Sequence, residues 1–345
     1  EHVIAVFPWL GLIFLPLVLI PLISPAAAGV LWKWMDPNYT MPGGFSVAED
    51  TLYVAKAAYL NYPFFLFRAF FYFGIFIGLA YFLRKFSMEQ DRDGQAIWTK
   101  RNLFLSAGGL FAAGLALTFA AFDWFMSLEF HWFSTMYGVW FFAASMRAAI
   151  AASIILLAVL ATYGPLKGLV NSVHYYLLGC LALAFTVFWA YISFSQFFLI
   201  YNANIPEETF WYNIRQFGKD GEYNVWWYVS MGLIFAHFLF PFIYLLWYRN
   251  KVVVPRIVFI SAWILVFHLA DLYFNIIPGK ETIYGVSDPL GYVVRQLGGF
   301  ELLWDLAALI GVGGICAWAF LTSLATTEPI AIRDPRIKTS IEAHE

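Results

Sequence analysis

The segment at 118–146, TFAAFDWFMSLEFHWFSTMYGVWFFAASM, carries three ionisable side chains among apolar and aromatic residues: Asp123, Glu129 and His131. An ionisable group beside the hydrocarbon core of a bilayer is costly and usually marks an ion or proton path. Other apolar runs contain further groups of this kind. They are Arg68, Arg147, His237, His268, Asp271, Glu301 and Asp305. Because carboxylates and imidazoles take up and release protons in catalysis, these residue types indicate proton-transfer chemistry.

The composition excludes an ordinary soluble domain. Of the 345 residues, 62% are hydrophobic and only 12% are charged, whereas a soluble domain carries about 25% charged residues. The formal net charge is −2, and we expect no nucleic-acid partner. The sequence therefore predicts an all-α membrane protein that crosses the bilayer several times.

Hydrophobic runs long enough to cross a bilayer define the organisation of the chain, since a spanning helix needs about 20 apolar residues. We predict one polytopic domain at 1–326, followed by a polar cytoplasmic tail at 327–345. The eight predicted spans are 3–24, 62–84, 103–128, 134–162, 172–200, 225–248, 256–277 and 297–325.

The distribution of Lys and Arg predicts the orientation of these spans. The connections on one side hold roughly twice as many basic residues as those on the other, and the richer side is expected to be cytoplasmic. Both ends of this chain would then be cytoplasmic. Asp123, Arg68 and Asp271 would lie in the outer part of the membrane, and His237 and Arg147 near mid-depth.

This placement suits a site for quinol oxidation, because oxidation of a quinol releases two protons that a His or a carboxylate can accept. Asp123, His131, His268 and Asp271 have suitable side chains at suitable depths. The alternative is that these groups satisfy one another in helix packing. In particular, Asp123 and Arg68 would form a structural ion pair.

His237 and His268 admit three interpretations: ligands of a b-type haem, members of a proton relay, or satisfied core histidines. His268 precedes Asp271 by three residues, which places both on one helix face, and we expect both to face protein. Cys180 and Cys316 each lie in an apolar run as small packing residues. Because the chain has no cysteine motif of the zinc or haem type, we expect no metal, no haem and no tightly bound cofactor.

The run FDWFMSLEFHWFSTMYGVWFFAASM resembles the ActF-type integral membrane subunits of bacterial alternative complex III, which belong to the NrfD-like (polysulfide reductase) family. AYLNYPFFLFRAFFYFGIF at 58–76 and LRKFSMEQDRDG at 83–94 agree with it. Glu129 and Phe130 stand where we expect an acidic residue and a proline, so Phe130 departs from the motif. The matching residues are Asp123, Trp124, Ser127, Leu128, His131, Trp132, Ser134 and Thr135.

The resemblance implies a place in a quinol:electron-acceptor oxidoreductase of the bacterial inner membrane. Members of the family have about ten helices, including two four-helix bundles, so two N-terminal helices would be missing here. The implied partners are a second NrfD-like subunit, an iron–sulfur subunit, multihaem and monohaem cytochromes c, small membrane anchors and lipids. The family's quinol site, for quinone or menaquinone, is assigned mainly to the second NrfD-like subunit. ActF-type subunits are assigned to proton conduction and scaffolding.

Together these features predict a non-haem subunit that supports quinol oxidation and conducts protons through a polar path. The hypothesis places Asp123, His131, Arg68 and the Glu301/Asp305 pair around an outward-opening pocket, which His237, His268 and Arg147 extend. One alternative is direct quinol binding at Asp123 and His131. The others are a structural anchor for peripheral redox subunits and a secondary transporter with polar groups at the midplane.

Overall fold

The fold is all-helical, as predicted, in a computed structural model that describes residues 2–41, 44, 46–218, 221–279, 300–337 and 341. Side chains are described from 303 onward in the last helix. The described residues contain no β-strand, and eight of their helices are long and apolar enough to cross a membrane. The chain is therefore a multi-pass membrane protein.

We label these eight helices α1–α8 and name shorter helices by their ranges. The labelled helices are α1 (Phe7–Ile23), α2 (Tyr62–Asp93), α3 (Ala96–Trp124), α4 (Met136–Tyr163), α5 (Ser172–Ala203), α6 (Val225–Leu246), α7 (Val254–Ile276) and α8 (Phe300–Thr326).

The ends of α2 show how local sequence sets helix length. The Asn61 side chain accepts a hydrogen bond from Phe64 N at 3.1 Å, which satisfies one of the free N–H groups at the start of a helix. Gly94 closes the other end with a φ of 70°, a left-handed conformation that favours glycine. Between these signals the helix continues to Asp93, well past the predicted limit at 84, because hydropathy marks the apolar part of a helix rather than its last residue.

The chain divides into two compact units. The first contains α1, α2, α3 and α8, with α2 packed against both α1 and α3. The connection between α1 and α2 adds a core of its own, in which the buried rings of Trp32 and Trp34 contact Phe65 edge to face at 5.2 and 5.7 Å. The described part of this connection holds four short helical pieces: Pro25–Gly29, Lys33–Met35, Val47–Glu49 and Thr51–Lys56.

The second unit contains α4, α5, α6 and α7 as a four-helix bundle. The most extensive packing between these helices follows the closed order α4, α5, α6, α7. Buried aliphatic side chains such as Ile154, Leu245 and Ile260 fill the space between them. Two short helices, Pro206–Asn213 and Tyr248–Val252, lie in the connections on either side of α6.

Candidate functional site

Two sets of acidic and basic side chains lie buried or half-buried within the spanning helices, one set in each unit. The first is the Arg68–Asp123 pair, on α2 and α3. The second, which we call the Asp271 cluster, consists of Arg147 on α4, His237 on α6, and His268 and Asp271 on α7. The two sets differ in how completely their polar atoms are satisfied, and this difference guides their functional interpretation.

The Arg68–Asp123 pair is the structural ion pair considered from the sequence. Arg68 donates from Nε to Asp123 Oδ2 at 2.7 Å and from Nη2 to Oδ1 at 2.9 Å. The hydroxyl of Tyr72 donates to Oδ2 at 2.8 Å, and the guanidinium carbon lies 3.9 Å from the centre of the Tyr59 ring. Asp123 is fully buried. Such a bidentate pair is among the strongest polar contacts in proteins, and it joins α2 to α3.

His131 pairs with a residue that sequence reasoning did not single out. Its Nε2 lies 2.7 Å from Asp50 Oδ2, and Asp50 also caps the helix Thr51–Lys56 by accepting from Leu52 N and Tyr53 N. Burial alone would raise the pKa of Asp50, but hydrogen bonds from Tyr53 N, His131 and Leu52 N bring it below its usual value. An Asp directly before the first residue of a helix is a common N-cap. That sequence signal identifies Asp50 as a cap, but it does not identify His131 as its partner.

Lys56 adds a second contact between these two connections of the first unit. It donates from Nζ to the Phe130 carbonyl at 2.6 Å, so the turn that follows α3 is held to the helix Thr51–Lys56. Burial lowers the pKa of Lys56, and the charge of Asp50 partly opposes that change. His131 is thus engaged in a contact between the two connections rather than with Asp123.

The Asp271 cluster lies within the bundle of the second unit. The nearest ligand atoms of His237, His268 and Asp271 all lie within 4.8 Å of one another. His237 and Asp271 are 1% and 2% exposed, and His268 is half-buried, so these side chains face protein as expected. The separation of His237 Nε2 from Asp271 Oδ2 is 4.0 Å, which exceeds a hydrogen bond.

Neighbouring side chains hold the carboxylate of Asp271 in place. The indole of Trp189 on α5 donates to Oδ2 at 2.9 Å, and the amide of Asn275 donates to Oδ1 at 3.1 Å. Sequence reasoning missed both residues. Asn275 follows Asp271 by four residues on α7, which is a recognisable helix-neighbour signal, whereas Trp189 has no signal because it is distant in sequence.

An irregular stretch of α6 positions His237. The segment Leu233–Leu239 is a π-helix, a form that often occurs at functional sites. Pro241 lies four residues after His237 and has no N–H to offer to its carbonyl. Arg147 Nη2 donates to that carbonyl instead. Pro241 was the available sequence signal, since it predicts a free carbonyl inside the span.

Three buried polar atoms of the cluster have no hydrogen-bond partner: Arg147 Nε, Arg147 Nη1 and His237 Nδ1. Buried polar atoms are nearly always satisfied, and exceptions call for an ordered water, an ion or a functional role. The cluster therefore keeps hydrogen-bonding capacity that the protein itself does not use, in contrast to the carboxylate oxygens of Asp123, which all accept hydrogen bonds.

Two imidazoles and one carboxylate form a donor set that zinc or non-haem iron accepts. The presence of Arg147 disfavours a divalent metal ion between His237, His268 and Asp271. The metal and the guanidinium together would leave an uncompensated positive charge in a buried site. A porphyrin between His237 and His268 is opposed by crowding. The centres of the Trp189 and His237 rings are 4.7 Å apart, and a carboxylate oxygen of Asp271 lies within 4.8 Å of a ring nitrogen of each histidine. The donor set therefore suits protons better than a metal or haem.

A cavity of about 320 Å³ opens beside Asp271 within the second unit. We call it the Trp189 cavity. Its polar lining includes Asp271, Asn275 and Gln196, and its aromatic lining includes Trp140, Trp189 and Trp211. The sequence analysis placed a pocket around Asp123, whereas this cavity adjoins the other buried aspartate, Asp271.

The remaining predicted pocket residues lie on α8. Asp305 is exposed on that helix, and the side chain of Glu301 lies outside the described residues. Arg68, Asp123 and His131 belong to the first unit, whereas Arg147, His237 and His268 belong to the second. The hypothesis of a single polar pocket that connects all of them stays a prediction.

Comparison of the sequence with protein-family models and with curated proteins finds no match. The resemblance to ActF-type subunits therefore stays a prediction carried by the motif residues alone. The function has to be argued from the two sets of ionisable residues and from the resemblance together.

Proposed function

We propose that this chain is a membrane subunit of a quinol:electron-acceptor oxidoreductase, and that it conducts protons through the Asp271 cluster. The observation that carries the proposal is the close approach of His237, His268 and Asp271, within 4.8 Å, inside a bundle of membrane-spanning helices. Ionisable groups at such depth are costly and are typical of proton relays. The resemblance of 118–146 to ActF-type subunits supports the link to quinol oxidation.

Proton transfer in the cluster would run between the carboxylate of Asp271 and the two imidazoles. The 4.0 Å gap between His237 Nε2 and Asp271 Oδ2 is too long for direct transfer, so one water or a small side-chain rotation has to close it. The unpartnered atoms of Arg147 and His237 are natural contacts for such a water. Arg147 would also stabilise the ionised carboxylate whenever the proton has moved to an imidazole.

The Arg68–Asp123 pair has a supporting role in this proposal. Every oxygen of Asp123 already accepts a strong hydrogen bond, and His131 is paired with Asp50. Direct quinol oxidation at Asp123 and His131 is therefore less favoured than proton conduction at Asp271. A purely structural role as an anchor remains the alternative that the experiment has to separate.

The proposal also includes a membrane, an orientation of the chain and a set of partner subunits. The chain would lie in the bacterial inner membrane with both ends cytoplasmic. It would assemble with a second NrfD-like subunit, an iron–sulfur subunit, multihaem and monohaem cytochromes c and small anchors. No tightly bound cofactor is assigned to this chain.

The test is Asp271→Asn in the assembled complex, reconstituted into vesicles that contain a pH indicator. Asparagine keeps the shape of the side chain and an oxygen that accepts from Trp189, but it cannot carry a proton. We expect quinol-linked proton movement to fall by about tenfold or more, since a positioned acid or base contributes a factor of roughly 10²–10⁴.

Glu89→Gln is the matched control, because it makes the same chemical change at a surface ion pair with Arg92. It should leave proton movement unchanged. Normal turnover and proton release from a fully assembled Asp271→Asn complex would show that the chain does not conduct through this cluster, and the anchor alternative would stand.

A further inference from the structure

The Trp189 cavity has the dimensions and lining of a small-molecule site that the proton relay does not use. Its volume of about 320 Å³ lies at the lower end of the range for ligand pockets, which runs from about 300 to 1,000 Å³. Trp140, Trp189 and Trp211 supply flat aromatic walls, and Tyr212 and Phe274 add two further rings. Such walls bind another flat ring by stacking or edge contacts.

Asp271 gives the cavity one strong hydrogen-bond acceptor. An ionised carboxylate has about four lone-pair sites, and the protein uses two of them, for Trp189 and Asn275. A ligand that brings an O–H group to Asp271 would therefore find a free acceptor already held in position. Water fits the cavity less well, because most of its surface is apolar and a stable water needs two to four polar partners.

The cavity lies between α5 and α6, both of which cross the membrane. Phe197 on α5 and Ile234 on α6 contribute to its wall, and the Ile234 side chain is 49% exposed. A half-exposed apolar residue at this position gives the cavity a side that a ligand dissolved in the bilayer can reach. A lipid acyl chain would fill the space without satisfying Asp271, which disfavours it as the natural occupant.

We propose that the Trp189 cavity binds a hydroxylated aromatic ring of the quinol class, whose hydroxyl donates a hydrogen bond to Asp271. This inference rests on the proposed function, since it places a quinol-type ring at one end of the proposed proton path. It concerns binding alone and assigns no electron transfer to this chain.

The test uses an azido-substituted short-tail quinone, photolysed on the intact complex in its reduced and oxidised forms, with the labelled peptides identified by mass spectrometry. We expect the label on α5 around Ser193 and on α6 around Ile234. Excess unlabelled short-tail quinol should displace it, and excess phosphatidylcholine should not. Absence of label from both helices at saturating probe, or displacement by the phospholipid, would overturn the proposal.

Two substitutions narrow the cavity and keep all four residues of the Asp271 cluster. Ser193→Phe fills the cavity from α5, and Ile234→Trp narrows it from a surface position that tolerates a large side chain. Either should lower probe labelling by about tenfold, the equivalent of 1.4 kcal/mol of binding free energy. Ala184→Phe is the matched control, because it adds the same ring at an exposed position of α5 and should label like the wild type.

The labelling experiment tests the ring site, and the Asp271→Asn experiment tests proton conduction, so either hypothesis can be refuted without the other. If Ser193→Phe and Ile234→Trp label as strongly as the Ala184→Phe control, the ring site is wrong, whatever Asp271→Asn does to proton movement. If both variants lose the label while Asp271→Asn still releases protons normally, the ring site stands and the conducting role is wrong.

Discussion

Asp123→Asn provides a sharp test of the distinction between a structural pair and a reactive cluster. The substitution removes the negative charge and leaves the guanidinium of Arg68, a residue that is 6% exposed, without its counter-charge. Breaking a buried ion pair by removal of one partner costs about 3–5 kcal/mol. Because the pair is bidentate, with contacts of 2.7 and 2.9 Å, we expect a loss within that range.

Two further variants of the same site decide whether charge is the cause. Tyr72→Phe removes one hydrogen bond to a charged acceptor and should cost about 1.5–3 kcal/mol. Arg68→Met combined with Asp123→Leu removes both charges at similar volume, and such replacements are often neutral or stabilising. The double variant should therefore be more stable than Asp123→Asn, because it leaves no uncompensated buried charge.

The assay is unfolding of the purified full chain in mixed micelles, followed by tryptophan fluorescence as the denaturing detergent increases. Glu89→Gln is the control again, because its exposed ion pair with Arg92 is worth at most about 1 kcal/mol. If Asp123→Asn unfolds within about 1 kcal/mol of the wild type, the charge-pair reasoning is wrong. A turnover defect in an Asp123→Asn complex that retains full stability would instead favour a reactive role for Asp123.

Two more predictions concern packing and pH. Gly179→Val should destabilise the second unit by about 1–3 kcal/mol, because a Cβ at 179 would lie 2.8 Å from Lys251 Cγ and 2.9 Å from Lys251 Cβ. Detergent unfolding checks this result, with Gly108→Val as the control at a position where an added Cβ meets nothing within 4 Å. For Asp50, burial raises the pKa, but hydrogen bonds from the backbone and from His131 together outweigh burial, so the pKa in the folded protein lies below 3.8. Its stabilising contribution is therefore complete above about pH 3.8 and is lost below it as the carboxylate protonates. A titration of unfolding midpoints should show that loss in the wild type and a flatter acid limb in Asp50→Asn, and identical acid limbs would refute it.

The eight helices could be predicted because each depends on a local property, a long apolar run. The ends could not be placed as well, since α2 continues to Asp93 after its apolar part has ended. Capping residues determine the actual ends, and Gly94 with its φ of 70° is an example. Hydropathy alone therefore locates a span but not the helix that contains it.

Parts of the candidate site followed from helix geometry and depth. The shared face of His268 and Asp271 is a consequence of their three-residue spacing, and the approach of His237 follows from similar depth on the next helix. The partners of these residues could not be predicted in the same way. Trp189 is 82 residues from Asp271, and Asp50 is 81 residues from His131, so only the packing of distant segments brings these atoms together.

The π-helix at Leu233–Leu239 shows a second limit of prediction from sequence. Pro241 predicts that one carbonyl of α6 lacks a donor, but several side chains in the bundle have N–H groups to offer. Selection of Arg147 depends on how α4 packs near α6, which no local pattern encodes. The two unpartnered nitrogens of Arg147 are likewise a property of the packed bundle.

The first unit combines segments that are far apart along the chain. Trp9 on α1 meets Trp318 on α8 edge to face at 5.0 Å, and Arg84 on α2 donates to Ser323 on α8 at 2.8 Å. A ribosome adds about 5–20 residues per second, so α1, α2 and α3 spend on the order of 10–30 s in the membrane before α8 is made. The four-helix bundle of the second unit is synthesised during that interval. Translation that stalls after α7 would consequently yield a complete four-helix bundle in the second unit and a first unit that still lacks α8.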